Sequence, residues 1–172
     1  ASVAYLATAG VVEEQRRFRE ALELGEQAIA ANPRDWDAHF LVGRNAMNVG
    51  DDAKAEEHLR AAEKGDLFRN IYRHNFRELF EKIQTFPVRD DEAFVVKLPL
   101  EEDEAYYPLL RAELGRSLEV LETRWGFRPD KPLYISVFDQ QRDFAARTIG
   151  LPGFPALGAC FGRVVTLDRP RA

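Results

Sequence analysis

With 172 residues, 45% of them hydrophobic and 31% charged, the chain has the composition of a folded globular protein of one or two domains, neither disordered nor fibrous. Its net charge of −5 argues against a nucleic-acid partner, which needs a basic footprint, and its single cysteine, Cys160, excludes an internal disulfide. No apolar run approaches the roughly 18 residues that a membrane-spanning helix needs. The compartment stays open, because many secreted bacterial domains also lack disulfides. Both ends read as cuts in a longer chain, and any signal peptide is expected to lie outside it.

Residues 1–85 are rich in Ala, Glu, Leu and Arg, which predicts helices. A shift of 34 residues superposes Ala21 on Ala55, Ala28 on Ala62 and Val12 on Ala46. Small side chains at such positions let two antiparallel helices approach closely, with neighbours such as Leu59 filling the groove between them. Gly50-Asp51-Asp52 is expected to be a tight turn between paired helices. A further helix over about 69–84, with Phe76 and Phe80 on one face, is expected to cap the array or bridge to the next domain.

Trp36 to Leu67 resembles a tetratricopeptide repeat, with Gly43, Ala46, Gly50, Ala55, Leu59 and Ala62 at the family's small or apolar positions. The preceding unit keeps Ala21, Ala28 and Pro33 but has Thr8 and Ala9 where Leu-Gly is usual. The resemblance implies a concave groove for a peptide or partner protein, with His39, Asn45 and Asn48 as groove candidates. A scaffold that only packs on its neighbour is the competing reading. His39, His58 and His74 fall in different helices without an i,i+4 pair, so no metal site is assigned to them.

Phe86-Pro87 ends the helical half. In FVVKLPL, Phe94, Val96 and Leu98 alternate onto one face of a strand that Pro99 terminates. The acidic run 101–104 suits a helix N-terminus. The helix after it carries Tyr106 or Tyr107, Leu110, Leu114, Leu118, Leu121 and Trp125 as one stripe and stops at Gly126, with Phe127 folding back. LYISVF, 133–138, is apolar on both faces and is expected to be covered on both. Asp139 is expected to cap a short helix, 140–149, with Phe144 and Ile149 turned inward. A Gly/Pro-rich loop, 150–155, comes next; it lacks the Lys-Ser/Thr of a phosphate cradle. The stretch 158–168 is either one strand broken at Gly162 or, as preferred, a hairpin with arms 158–161 and 164–168. The predicted fold class is α+β: all-α helical hairpins (1–85), then a small α/β subdomain of mixed sheet and helices (86–172).

The segments KPLYISVF, DFAARTIGLPG and LGACFGRVVTLDRPRA resemble the front part of a gluzincin-type (peptidase MA-like) zinc metallopeptidase domain, a kind of domain often preceded by tetratricopeptide repeats in bacteria. The resemblance implies an HExxH helix next, with two histidines on zinc and a glutamate activating water. No HExxH occurs in these residues. The expectation is therefore a non-catalytic chain with no catalytic, cofactor or metal residue of its own, belonging to a repeat-containing metallopeptidase-like protein that requires zinc if such a helix comes after it. The alternative is an interaction module working through the repeats. The resemblance further implies that Gly158, Ala159, Cys160 and Phe161 form a strand edge along which a peptide substrate lies. Arg163, at the turn, could bind a carboxylate. Self-association through the sheet near 156–170 is also expected, because a sheet lacking part of its cover leaves apolar surface and a strand edge open.

Overall fold

The structure is a computed structural model that describes residues 1–65, 70–129 and 132–169, with the backbone alone at Glu102 and Asp103. The end of the repeat unit at Leu67, the start of the predicted helix at 69 and the last three residues of the DRPRA segment lie outside the described residues. Five helices come first: α1 (Ser2–Glu14), α2 (Phe18–Ala31), α3 (Trp36–Val49), α4 (Asp52–Gly65) and α5 (Ile71–Gln84). Each of α2, α3 and α4 packs on its predecessor. The alanines that the 34-residue shift superposes are the contact points: Ala21, Ala28, Ala46, Ala55 and Ala62 are all fully buried. At Gly43 even one added carbon would sit 2.8 Å from Leu59 Cγ and 2.9 Å from Leu59 N. Leu59, 2% exposed, therefore lies directly on the α3 backbone, and burying such a side chain stabilises by roughly 1.5–3 kcal/mol.

The second half is a five-stranded mixed sheet in the order β1-β2-β3-β5-β4. Its strands are β1 (Val88–Asp90), β2 (Phe94–Lys97), β3 (Leu133–Phe138), β4 (Gly158–Phe161) and β5 (Val164–Asp168). β2, β3 and β5 run parallel, and β1 and β4 are antiparallel edges. Two helices connect it, α6 (Leu100–Trp125) and α7 (Gln141–Ile149). The overall class is α+β, and 158–168 is a hairpin with Gly162-Arg163 at its turn. The short edge strand β1 is an addition to the predicted elements: three exposed residues after Pro87 carry no alternation to read.

α6 lies on one sheet face. Phe94, Val96, Leu98, Ile135 and Val137 are buried there with Leu110, and Tyr106, Leu114 and Leu118 are partly buried against them. The predicted stripe holds only this far. Leu121 and Trp125 are 40% and 76% exposed. A 26-residue helix is about 39 Å long at ~1.5 Å per residue, whereas the six residues of β3 span about 20 Å, so the helix outruns the sheet. Phe127 is likewise exposed rather than folded back.

The other face carries α7 and the helical array. Phe138 and Phe144 share one core with Leu22, Val42, Met47, Phe76, Phe80 and Phe86, so one apolar cluster spans both halves of the chain. Both faces of β3 are covered, as its composition predicts. Ile149 is not turned inward, however, and is 46% exposed. It sits five residues from Phe144, about 140° around the helix, and the inward positions are Phe144, Ala145 and Arg147. Asp139 does not cap α7 either; it binds Lys82 of α5 at 3.1 Å. Burial pulls the Lys82 ammonium down, but Asp143 and Asp139 outweigh it and hold the group above its ordinary value.

Arg147 joins the two halves. Its guanidinium is buried, donates to Asn48 Oδ1 at 3.0 Å and to the Met47 carbonyl at 3.2 Å, and lies 4.7 Å over the Phe161 ring. Burial pushes its pKa down to about 10, with Asp52 opposing. Beside it, Gly50 is required twice over: its φ is +82°, and an added carbon would lie 2.7 Å from the Tyr134 ring. Lys97 of β2 pairs with Asp52 at the start of α4. Replacing Arg147 with alanine removes both donors from a buried asparagine and a buried carbonyl. We expect Arg147→Ala to lose about 2–4 kcal/mol in urea denaturation, and Arg142→Ala, on the exposed side of the same helix, less than about 0.5 kcal/mol. Equal effects would contradict the bridging role.

Candidate functional site

The free edge of β4 is the accessible part of the sheet that the sequence singles out. In a two-residue hairpin the closing residues, Phe161 and Val164, exchange hydrogen bonds, and pairs then alternate between bonded and non-bonded. Ala159 and Thr166 are therefore a bonded pair, and the next such position is marked by Asp168 N–H donating to Leu157 O at 2.9 Å. The N–H and C=O of Gly158 and of Cys160 consequently point away from β5, toward the open side. The Cys160 carbonyl confirms this by accepting from Arg16 Nη1 at 2.8 Å.

Side chains of β4 alternate between the faces. Ala159 is partly buried in the core shared with the helical array. Phe161 meets Phe18 with ring centroids 5.9 Å apart. Gly158 and Cys160 are exposed, and the Cys160 thiol reaches only Gly162 O, at 3.2 Å. A side chain at 158 would press to 3.0 Å from Leu167 Cδ2, so the small residue there also serves the strand pairing.

At the Cys160–Gly162 end of this edge lies an open cleft of about 850 Å³, within the size range of ligand sites. One wall is apolar, with Leu121 and Phe127 beyond the end of the sheet and Leu133 and Val165 on it. The opposite wall is the turn into α2, Arg16 to Arg19. Arg163 at the hairpin tip and Arg128 complete it. Among the described residues the lining holds these five arginines and a single carboxylate, Glu20, which is paired with Arg17. A chain of net charge −5 thus presents a locally positive cleft.

The groove candidates of the array are used internally. Asn45 is fully buried and donates to Glu13 Oε1 at 3.0 Å and Leu41 O at 2.9 Å. Asn48, 4% exposed, accepts from Arg147. Asn45 is turned into the array, and Asn48, though bonded to Arg147, also reaches the lining of the cleft at the β4 edge. His39 is half-buried and lies against His58, Nδ1 to Nδ1 at 2.9 Å, with its Nε2 3.2 Å from Pro33 O. Sequence spacing gives no hint of this contact, because 19 residues separate the two rings and only helix pairing brings them together. His74 is elsewhere, against Glu63 and Glu78. Among the described residues no three His, Cys, Asp or Glu side chains converge as a metal site.

Arg16 and Arg147 are not among the residues that the sequence singles out. The Arg16-Arg17-Phe18-Arg19 run is a visible signal for the cleft. Arg147 carries none, since a buried arginine and a surface one look alike in a polar helix. No protein-family model, curated protein or solved structure matches the chain.

Burial, and then the His39 ring and Lys54, hold the His58 pKa below its ordinary 6.5, while Glu57 and Glu26 oppose. A base with a lowered folded-state pKa gives stability that is present above pH 6.5 and lost as pH falls toward the folded value. We expect the urea midpoint to fall between about pH 7.5 and about pH 5, with His58→Gln showing a shallower fall. Identical pH profiles would contradict the paired-ring account.

Proposed function

We propose that this chain is a peptide-recognition unit in which an extended peptide adds as a further strand to the free edge of β4, Gly158 to Phe161. The observation that carries it is the pair of outward-facing main-chain groups at Gly158 and Cys160, with an open cleft at the Cys160 end of that edge. Strand addition uses main-chain hydrogen bonds for affinity and alternate side-chain pockets for selection. This reading is in keeping with the resemblance to tetratricopeptide arrays joined to gluzincin-type metallopeptidase domains, where such an edge holds the substrate. On that reading the chain supplies the recognition edge of a metallopeptidase-like protein and no chemistry of its own. Interaction through the array's surface is the less favoured alternative, because Asn45 and Asn48 are buried within it.

The test uses octapeptides with alternating leucines, GELELESG and its counterparts with glutamine or lysine in place of each glutamate. At least one should slow amide hydrogen exchange at Gly158 and Cys160 about tenfold or more. N-methylation of alternate peptide amides should abolish that effect. No protection by any of the three, or protection confined to the helices, would overturn the proposal.

A further inference from the structure

The arginine wall has a feature that strand addition alone does not explain. Arg16 comes just after the last turn of α1 with φ of 61°, and Arg16 N–H donates to Glu13 O at 2.8 Å. Glycine or asparagine is usual at such a helix end, and a residue with a longer side chain is strained there. The strained turn projects the Arg16 guanidinium onto Cys160 O, the acceptor that an added strand would need. Arg16 thus occupies the edge in the place of a peptide N–H. It covers the strand edge in the way that charged side chains blunt exposed edges.

Displacing Arg16 leaves a guanidinium in need of an acceptor. A carboxylate is a stronger acceptor for it than a carbonyl, and can bind it with two parallel hydrogen bonds. The surroundings reinforce the preference. Arg19 and Arg163, both lining the cleft, have no carboxylate or hydrogen-bond partner for their side chains among the described residues. The cleft also contains the start of α2, where the helix dipole adds positive potential. Across from these groups stand Leu121, Phe127 and Val165.

Side chains of an added strand alternate in direction. We infer that the ligand of the β4 edge is an acidic peptide, its Asp or Glu side chains directed at Arg16, Arg19 and Arg163 and its alternate apolar residues at the Leu121–Phe127 wall. The inference rests on the strand-addition reading. Arg16 is then a latch: it guards the edge against neutral and basic strands and is drawn off by a carboxylate.

Fluorescence anisotropy with the three labelled octapeptides tests this. GELELESG should bind about tenfold tighter, or more, than the glutamine peptide, with the lysine peptide weaker still. Its affinity should fall about tenfold between roughly 50 and 300 mM salt. The double variant R19E/R163E changes two side chains that are not in the core; it should remove the acidic preference while its circular dichroism is unchanged. Arg16→Gly, which relieves the turn and removes the latch, should let the glutamine peptide bind more tightly. Equal affinities for the glutamate and glutamine peptides, with Gly158 and Cys160 still protected, would overturn the acidic specificity and leave strand addition standing. Binding of none of the three would overturn both.

Discussion

One buried cation holds this molecule in its shape. Arg147 takes its two acceptors from the end of α3 and stacks on an aromatic ring of β4. It therefore connects the array, the helix α7 that bears it, and the edge hairpin in a single set of contacts. Burying a guanidinium is costly, and the lowered pKa expresses that cost. The cost is offset only where every neighbour is in place: the Met47 carbonyl at the helix end, Asn48 beside it, Asp52 across the turn and the face of Phe161. Such a group specifies one arrangement of the two halves more strongly than it stabilises it, since an apolar pair of the same volume would pack without these constraints.

The position of the cleft is a consequence of that arrangement. Phe161 is held from below by Arg147 and from the side by Phe18, so the hairpin tip is pinned against the start of α2. This brings Arg16 within reach of the Cys160 carbonyl, 144 residues away in sequence. The other wall has a different origin. α6 is longer than the sheet it covers, and its overhanging end supplies Leu121, with Phe127 just beyond. A positive wall and an apolar wall meet along an edge strand because a helix array and an oversized helix flank the same sheet.

Much of the fold is legible in the sequence, and the reasons are physical. Alanines at a 34-residue spacing mark close helix contacts, and those alanines are buried; Phe94, Val96 and Leu98 alternate, and all three are buried. Gly162 with its φ of 66° marks the hairpin turn. Less is legible of the candidate site. The strand Gly158–Phe161 can be found from its apolar pattern, but which main-chain groups face outward depends on register. Ile149 and the distal stripe of α6 depart from expectation because periodicity states which face is apolar, not how far the facing surface extends. Asn45 and Asn48 look like groove residues by type, and only the packing of Glu13 and Arg147 against them shows their internal roles.

The cleft exists only if the array and the sheet hold their places as one rigid unit. Residual dipolar couplings measured on the uniformly labelled protein test this directly. Alignment tensors fitted separately to α1–α5 and to the sheet should agree in magnitude and orientation when both are referred to this structure. Two distinct tensors, or a markedly smaller order for one half, would contradict it.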